Sequence, residues 1–233
     1  MTKKSDNDAP VPIIFENSDP ISIQQSTAKC IHIWLSGEIG EESKYIKILS
    51  VCQTAEAGDR IYIHLNSPGG YVSTAIQLYS ALKNCEAEIT AVIESDCHSA
   101  ASIIAMAADN FHVLPLCSML IHNFSGGAVG KFNDIQRQVD FDKRQTEKIF
   151  REVYANFLTE DEIKEVLEGK DLWLNADDID ARLTKLFDCK NKEIEDNVQT
   201  IEKFKKRVLS ALKSSKKFEK EEIAEFEKVL SGM

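Results

Sequence analysis

The sequence predicts an α/β fold built on a mainly parallel sheet. Short β-branched runs alternate with stretches of helical spacing from residue 28 onward. One of those runs ends in the sharp turn Asn66-Ser67-Pro68-Gly69-Gly70, and the amphipathic stretch 132–157 is long enough to stand beside the sheet as a helix. Strands alternating with helices favour parallel pairing, because each crossover returns the chain to the same end of the sheet.

The elements follow in order. Residues 1–27 are polar and carry Pro10, Pro12 and Pro20, so they are expected to form a flexible N-terminal arm whose apolar patch at 11–15 is able to dock. Residues 30–35 read as a strand closed by Gly37 and Gly40. Helical spacing over 42–57 places Tyr45, Ile46, Leu49 and Cys52 on one side. A second strand at 60–65 stops at the proline–glycine turn, and 72–84 resumes helical spacing. A third strand is expected at 89–93, a small-residue helix at 99–108, short strands at 111–114 and 118–121, and helices at 132–157 and 159–168.

Residues 190–233 change character: they are rich in Lys and Glu and contain no Pro. Ile194, Ile201 and Val208 recur every seven residues, Val198 and Leu212 fill the same stripe, and Phe218, Ile223, Phe226 and Leu230 mark a second helix. Such a segment packs or associates through its apolar face. The expected organisation is therefore an arm at 1–27, an α/β domain at 28–188 and a helical C-terminal extension at 189–233.

Composition narrows the function classes. The 233 residues carry 38 acidic against 28 basic side chains, a formal charge of −10, which disfavours nucleic acid and anionic membrane as partners. No apolar run approaches the roughly 20 residues of a spanning helix. Lys3 and Lys4 are followed by no apolar stretch, so no secretory signal is expected and a cytoplasmic location is. The six cysteines, at 30, 52, 85, 97, 117 and 189, show no C-x-x-C spacing and read as reduced thiols. The pairs Cys30/His32 and Cys97/His98 lack a second ligand pair, so no metal is expected.

Two segments carry chemistry. Adjacent glycines after a strand let the backbone approach another group and present free N–H groups at the carboxyl edge of the sheet. The turn at 66–70 thus reads either as an oxyanion or phosphate cradle or as a plain tight turn. Ser99 stands between a strand and a helix, where it either caps the helix or serves as a nucleophile facing the helix N-terminus. Ser102 competes for that role, but it lies about one turn inside the helix. His32 and His64 fall in apparent strands and read as structural, and His112 as a surface residue.

The turn, the serine helix, the segment Met119-Leu120-Ile121-His122 and the segment Asp171-Leu172-Trp173-Leu174 occur in one order that resembles the Clp proteolytic subunits, over roughly residues 28–188. Asn-Ser-Pro-Gly-Gly is intact at 66–70, Leu114-Pro115 precedes Ile121-His122, and Gly126-Gly127 follows. The helix after the serine, 103–109, matches the family only when Ser99 is aligned with its nucleophile. The sequence departs from the pattern at Ser95, where the family has glycine, and at Cys97 and His98, where it has alanines. Lys170 stands where the family often has a basic residue paired with an acidic one, but its neighbour here is Gly169.

The resemblance implies a Clp/crotonase-like spiral of βαβ units with 132–157 as a handle helix. It implies a serine endopeptidase with Ser99, His122 and Asp171 as catalytic triad and the N–H groups of Gly70 and Ala100 as oxyanion hole. It further implies a homo-oligomer in stacked rings around a chamber, substrates that are unfolded polypeptides, an AAA+ unfoldase as partner, and no cofactor. ATP would be used by that partner, since the chain has no G-x-x-x-x-G-K-[ST]. Other readings are a virus capsid (prohead) maturation protease, a catalytically weak structural ring subunit, and a crotonase-type acyl-CoA enzyme, which does not need the triad.

Overall fold

The sheet is organised around β4 (Glu88–His98), its longest strand. The computed structural model describes residues 21–24, 28–214 and 228. The other strands are β1 (Ile21–Gln24), β2 (Cys30–Ser36), β3 (Arg60–Ser67), β5 (Asn110–Val113), β6 (Ser118–Ile121) and β7 (Leu172–Asn175). Their order is β1-β2-β3-β4-β6-β7, with β5 pairing on β4 beside this path. The pairings β2·β3, β3·β4, β4·β5 and β4·β6 are parallel, whereas β1·β2 and β6·β7 are antiparallel. β4 has two partners on one side because its first half, Thr90–Ile93, pairs with β5 and its last residues, Asp96–His98, pair with β6.

Period-2 alternation gives β2 and β3 one dry face and one polar face. Ile31, Ile33 and Leu35 of β2 and Ile61, Ile63 and Leu65 of β3 are buried, and the register sets Ile33 beside Ile63 and Ile63 beside Ala91. The same core takes Ile48 and Cys52 from α1 (Ile46–Thr54) and Ala75, Leu78 and Leu82 from α2 (Val72–Lys83). All six residues of α3 (Ala100–Ala105) are buried. Each such aliphatic side chain contributes roughly 1.5–3 kcal/mol by leaving water.

The opposite face of β2 and β3 carries a stack of rings. His32 lies over Tyr62 at 4.9 Å and beside His64 at 5.2 Å, and Trp34 lies over His64 at 4.8 Å. A row of polar contacts crosses the stack: Cys30 Sγ to His32 Nε2 at 3.5 Å, His32 Nδ1 to His64 Nε2 at 2.9 Å, and His64 Nδ1 to Glu94 Oε1 at 2.8 Å. Burial, helped by the neighbouring His64, holds His32 below its ordinary pKa. His32 and His64 are thus packed into the sheet.

Three further helices are α4 (Phe132–Val153), α5 (Glu160–Leu167) and α6 (Ala176–Ser214). α4 leaves Phe132 and Phe141 exposed and buries only Phe150 and Val153 near its end. Thr159 caps α5 in a reciprocal box with Glu162. By contacts the chain divides into Met1–Leu183 and Thr184–Met233, and α6 carries it from one unit to the other.

Several elements differ from expectation. Residues 21–24, assigned to the arm, form β1, because Ile21 and Ile23 alternate in register with Ile33 and Ile31. The rest of 1–27 lies outside the described residues. β4 continues past Ile93 through a polar end because β6 pairs with it there. The helix expected at 99–108 spans 100–105, and β7 was not foreseen. α6 starts at Ala176, so the expected boundary at 188/189 falls inside a helix. Among the described residues no helix is long and apolar enough to cross a membrane, and no group of three His, Cys, Asp or Glu could hold a metal ion.

Arg182 of α6 donates to Glu162 Oε1 at 2.6 Å and to the Phe157 carbonyl at 3.2 Å, tying α5 to the start of α6. The guanidinium hydrogen bond draws the Glu162 carboxyl down to about 2. A carboxyl whose folded pKa is depressed adds stability above its unfolded value, near about 4.3, and that stability is lost as pH falls through the folded value. Glu162→Gln keeps a capping side chain but removes the charge. It is expected to cost about 1 kcal/mol at neutral pH. Denaturant titrations of both proteins at pH 7 and pH 3 should show this gap narrowing in acid; an equal gap at both pH values would mean the charge contributes nothing.

Candidate active site

The site forms where β3, β4 and β6 end together. Beyond Ser67 the chain turns through Gly69 at φ +100° and Gly70 at φ +149°, conformations that side chains disfavour. Space excludes side chains as well. A Cβ on Gly70 would stand 2.1 Å from the Ile39 carbonyl oxygen, and one on Gly69 would stand 2.6 Å from Ser99 Cβ. The turn is stitched to the segment after β2: Ile39 N–H donates to Gly69 O and Tyr71 N–H to Ile39 O, both at 2.8 Å. These two bonds straddle Gly70. Among the described residues its own N–H donates to no acceptor, and neither does that of Ala100, the first residue of α3.

Ser99 links β4 to α3 with φ 54° and ψ −121°, and Asn156 is the one other described non-glycine residue at positive φ. Such a conformation costs of order 1–3 kcal/mol and persists only when its surroundings impose it. They do so on three sides. Ser99 N–H donates to Leu120 O of β6 at 2.8 Å, the Gly69 backbone runs close enough to Ser99 Cβ to leave no room for a side chain between them, and the Ser99 carbonyl accepts from Ser102 N–H at 2.9 Å and Ser102 Oγ at 2.7 Å.

Ser102 is fully buried, at 0% exposure, and its hydroxyl is also 2.7 Å from the Tyr154 hydroxyl. Burial raises the Tyr154 phenol well above its usual range. Ser102 therefore braces the Ser99 backbone, and its side chain has no access to solvent. Sequence reasoning missed this supporting role, and it missed Tyr154, for which no local signal exists. The Gly69 contact was legible only as half of a glycine pair.

His122 follows β6 directly, and Asp171 directly precedes β7. The antiparallel register pairs Ile121 with Leu172, Leu120 with Trp173 and Met119 with Leu174. One further step sets His122 opposite Asp171. Opposite positions on an antiparallel pair bring Cβ atoms within about 4.5–5.5 Å. On the other flank of β6, His98 pairs with Leu120, so Ser99 lies at the level of Ile121 and next to His122. The backbone thus gathers Ser99, His122, Asp171, Gly70 and Ala100 at one end of the sheet. No hydrogen bond joins the three side chains to one another among the described residues. Catalytic contacts are often loose without substrate and tighten in its complex.

His98, adjacent to the serine, points elsewhere. Its Nε2 lies 2.9 Å from Ser118 Oγ, and its ring meets Trp173 edge-on at 5.2 Å. Cys97 is fully buried behind the serine, and desolvation keeps its thiol strongly protonated. Asn123 fixes the chain after His122 by donating to Leu167 O at 2.8 Å and accepting from Phe124 N–H at 2.8 Å. Beyond it opens a groove of about 660 Å³ lined by Val72, Phe124, Gly126, Gly127 and Ile149 among others. Val72 is two residues from Gly70 and Phe124 two from His122, so the groove adjoins the site.

The end of the sheet thus holds a strained serine between strand and helix, two N–H groups without an acceptor among the described residues, and a histidine and an aspartate at the ends of paired strands. Residues 17–182 match the Clp protease family, and the chain belongs to it. The chain is 32% identical over 125 residues to the "ATP-dependent Clp protease proteolytic subunit 2" of Pseudomonas aeruginosa, covering 52% of this chain and 61% of that protein. It is 27% identical over 154 residues to the "ATP-dependent Clp protease proteolytic subunit" of Ligilactobacillus salivarius, covering 63% and 78%. It is 28% identical over 127 residues to the protein so named from Chlorella vulgaris, covering 52% and 63%. The chain thus spans less than two thirds of the first and third of these relatives.

Ser99→Ala is expected to abolish labelling by a β-lactone or acyl-phosphonate probe. Ser102→Ala should leave the adduct on Ser99 but strand the buried Tyr154 hydroxyl, costing about 1–3 kcal/mol. Peptide mapping and thermal denaturation read the two effects separately; an adduct on Ser102 would overturn the assignment.

Proposed function

We propose that this chain is a serine endopeptidase in which Ser99 is the nucleophile, His122 the base and Asp171 the group that orients the base. The observation that supports this most directly is the β6·β7 register: continued one residue past the Ile121–Leu172 pair, it runs to His122 and Asp171, near the strained Ser99. His122 takes the Ser99 proton as Oγ attacks the peptide carbonyl. Asp171 holds the imidazole tautomer and stabilises the imidazolium. The oxyanion is received by the N–H groups of Gly70 and Ala100, each worth roughly 3 kcal/mol in the transition state. His122 then gives its proton to the leaving amine, and water hydrolyses the acyl-enzyme by the same steps in reverse. No step calls for a metal or cofactor.

The groove bordered by Gly126 and Gly127 suits an extended peptide, whose backbone needs close approach. The substrates proposed are unfolded polypeptides, degraded inside an oligomeric chamber fed by an AAA+ unfoldase in the cytoplasm, in keeping with the names of the relatives. The peptidase domain proposed is 28–188, with 189–233 as an extension. The strain held at Ser99 favours this reading over a structural ring subunit, because a scaffold gains nothing from such a backbone.

His122→Ala and Asp171→Asn should each lower turnover of a short fluorogenic peptide by about a thousandfold or more, with thermal stability little changed. Near-normal turnover in either variant removes that residue from the mechanism.

A further inference from the structure

The Thr184–Met233 unit presents an unusual helix face. Along α6, Ile194, Val198, Ile201 and Phe204 are exposed by 60%, 53%, 53% and 64%. Helices at a protein surface ordinarily bury such a stripe. The spacing is that of a heptad: Ile194, Ile201 and Val208 take d positions, and Asn191, Val198, Lys205 and Leu212 take a positions. Asn and Lys at a are the polar residues that set register in two-stranded coils.

We infer that α6 pairs with α6 of a second copy of this chain as a parallel two-stranded coiled coil over residues 191–212. The flanking positions favour this occupant and this direction. Position e carries Asp188, Glu195 and Glu202 and then Leu209; position g carries Lys190, Asn197, Phe204 and Ala211. In a parallel pair each g residue meets the e residue five positions later in the other copy. Lys190 then meets Glu195, Asn197 meets Glu202 and Phe204 meets Leu209: one opposite-charge pair, one neutral pair and one apolar pair. In an antiparallel pair e positions face e positions, and the acidic run would oppose itself. Like charges so placed are destabilising. In the parallel arrangement the exposed Phe204, outside the a/d seam, meets the apolar Leu209.

Disulfide trapping of the full chain tests this. Cys189, which is exposed, is first changed to Ser. Asn191→Cys and Val208→Cys are then made separately in that background. Under mild oxidation each variant should give a disulfide dimer with its own kind, and Thr200→Cys, on the outer face, should give about tenfold less. Adding Ile194→Asn and Ile201→Asn to the Val208→Cys variant should cut the dimer yield about tenfold and leave peptide hydrolysis unchanged. When the two variants are mixed before oxidation, a 191–208 product in place of the self-products means an antiparallel pair and overturns the proposal. Absence of any dimer, with each thiol reactive to maleimide, means that α6 has another occupant and overturns it too.

Discussion

Where β4 stops decides what the site is. The strand runs between β3 and β6, and its last residues pair with β6 before the chain swings through a left-handed serine into α3. That turn is tolerated because neighbours hold it from all sides: the Leu120 carbonyl on β6, the glycine turn after β3, and the buried Ser102 hydroxyl beneath. Each restraint also sets a functional part. β6 delivers His122, and the glycine turn delivers a free N–H group. Strain and arrangement therefore share one origin.

Precision at such a site requires that its supports be rigid. Gly70 cannot drift, because backbone bonds on either side fasten the turn to the segment carrying Ile39. Ser102 and Tyr154 form a buried hydroxyl pair that joins the serine's carbonyl to the end of α4. A change in the placement of that helix end is felt by the Ser99 backbone through two hydrogen bonds. By contrast, the groove wall after His122 is made of Ser125, Gly126, Gly127 and Ala128 and carries little side-chain packing of its own.

Much of this was legible in the sequence wherever proline, glycine or small residues punctuate it. The 66–70 turn, the strand before it and the junction at Ser99 were read from local chemistry. β7 was not, because Leu172-Trp173-Leu174-Asn175 is too short to display a period. The facing of His122 and Asp171 depends on a strand pairing that closes over the whole of α4 and α5, and no local spacing encodes it. The end of β4 was hidden because Glu94, Ser95 and Asp96 look like loop residues; pairing on both flanks makes them strand. The early start of α6 was hidden for a related reason. Nothing in the spacing around Asp177 and Asp178 marks a helix start, yet acids in a first helical turn complement the helix dipole. Between Ser99 and Ser102, helix register separated the two in the sequence, and the structure adds that Ser102 is buried and bonded.

The row Cys30, His32, His64 and Glu94 has a built-in direction. Ionised Glu94 only accepts, so His64 Nδ1 must carry a proton. With both rings neutral, His64 Nε2 then has a lone pair toward His32 Nδ1, which must in turn be protonated, and His32 Nε2 is left to accept from the Cys30 thiol. One carboxylate thus dictates the tautomer of two imidazoles across three strands, and the dipoles of all four groups align toward it. The nitrogens that face each other at 2.9 Å have room for one proton between them, so turning either ring breaks the row as well as the stack, which makes this polar side of the sheet stiff for electrical as well as steric reasons.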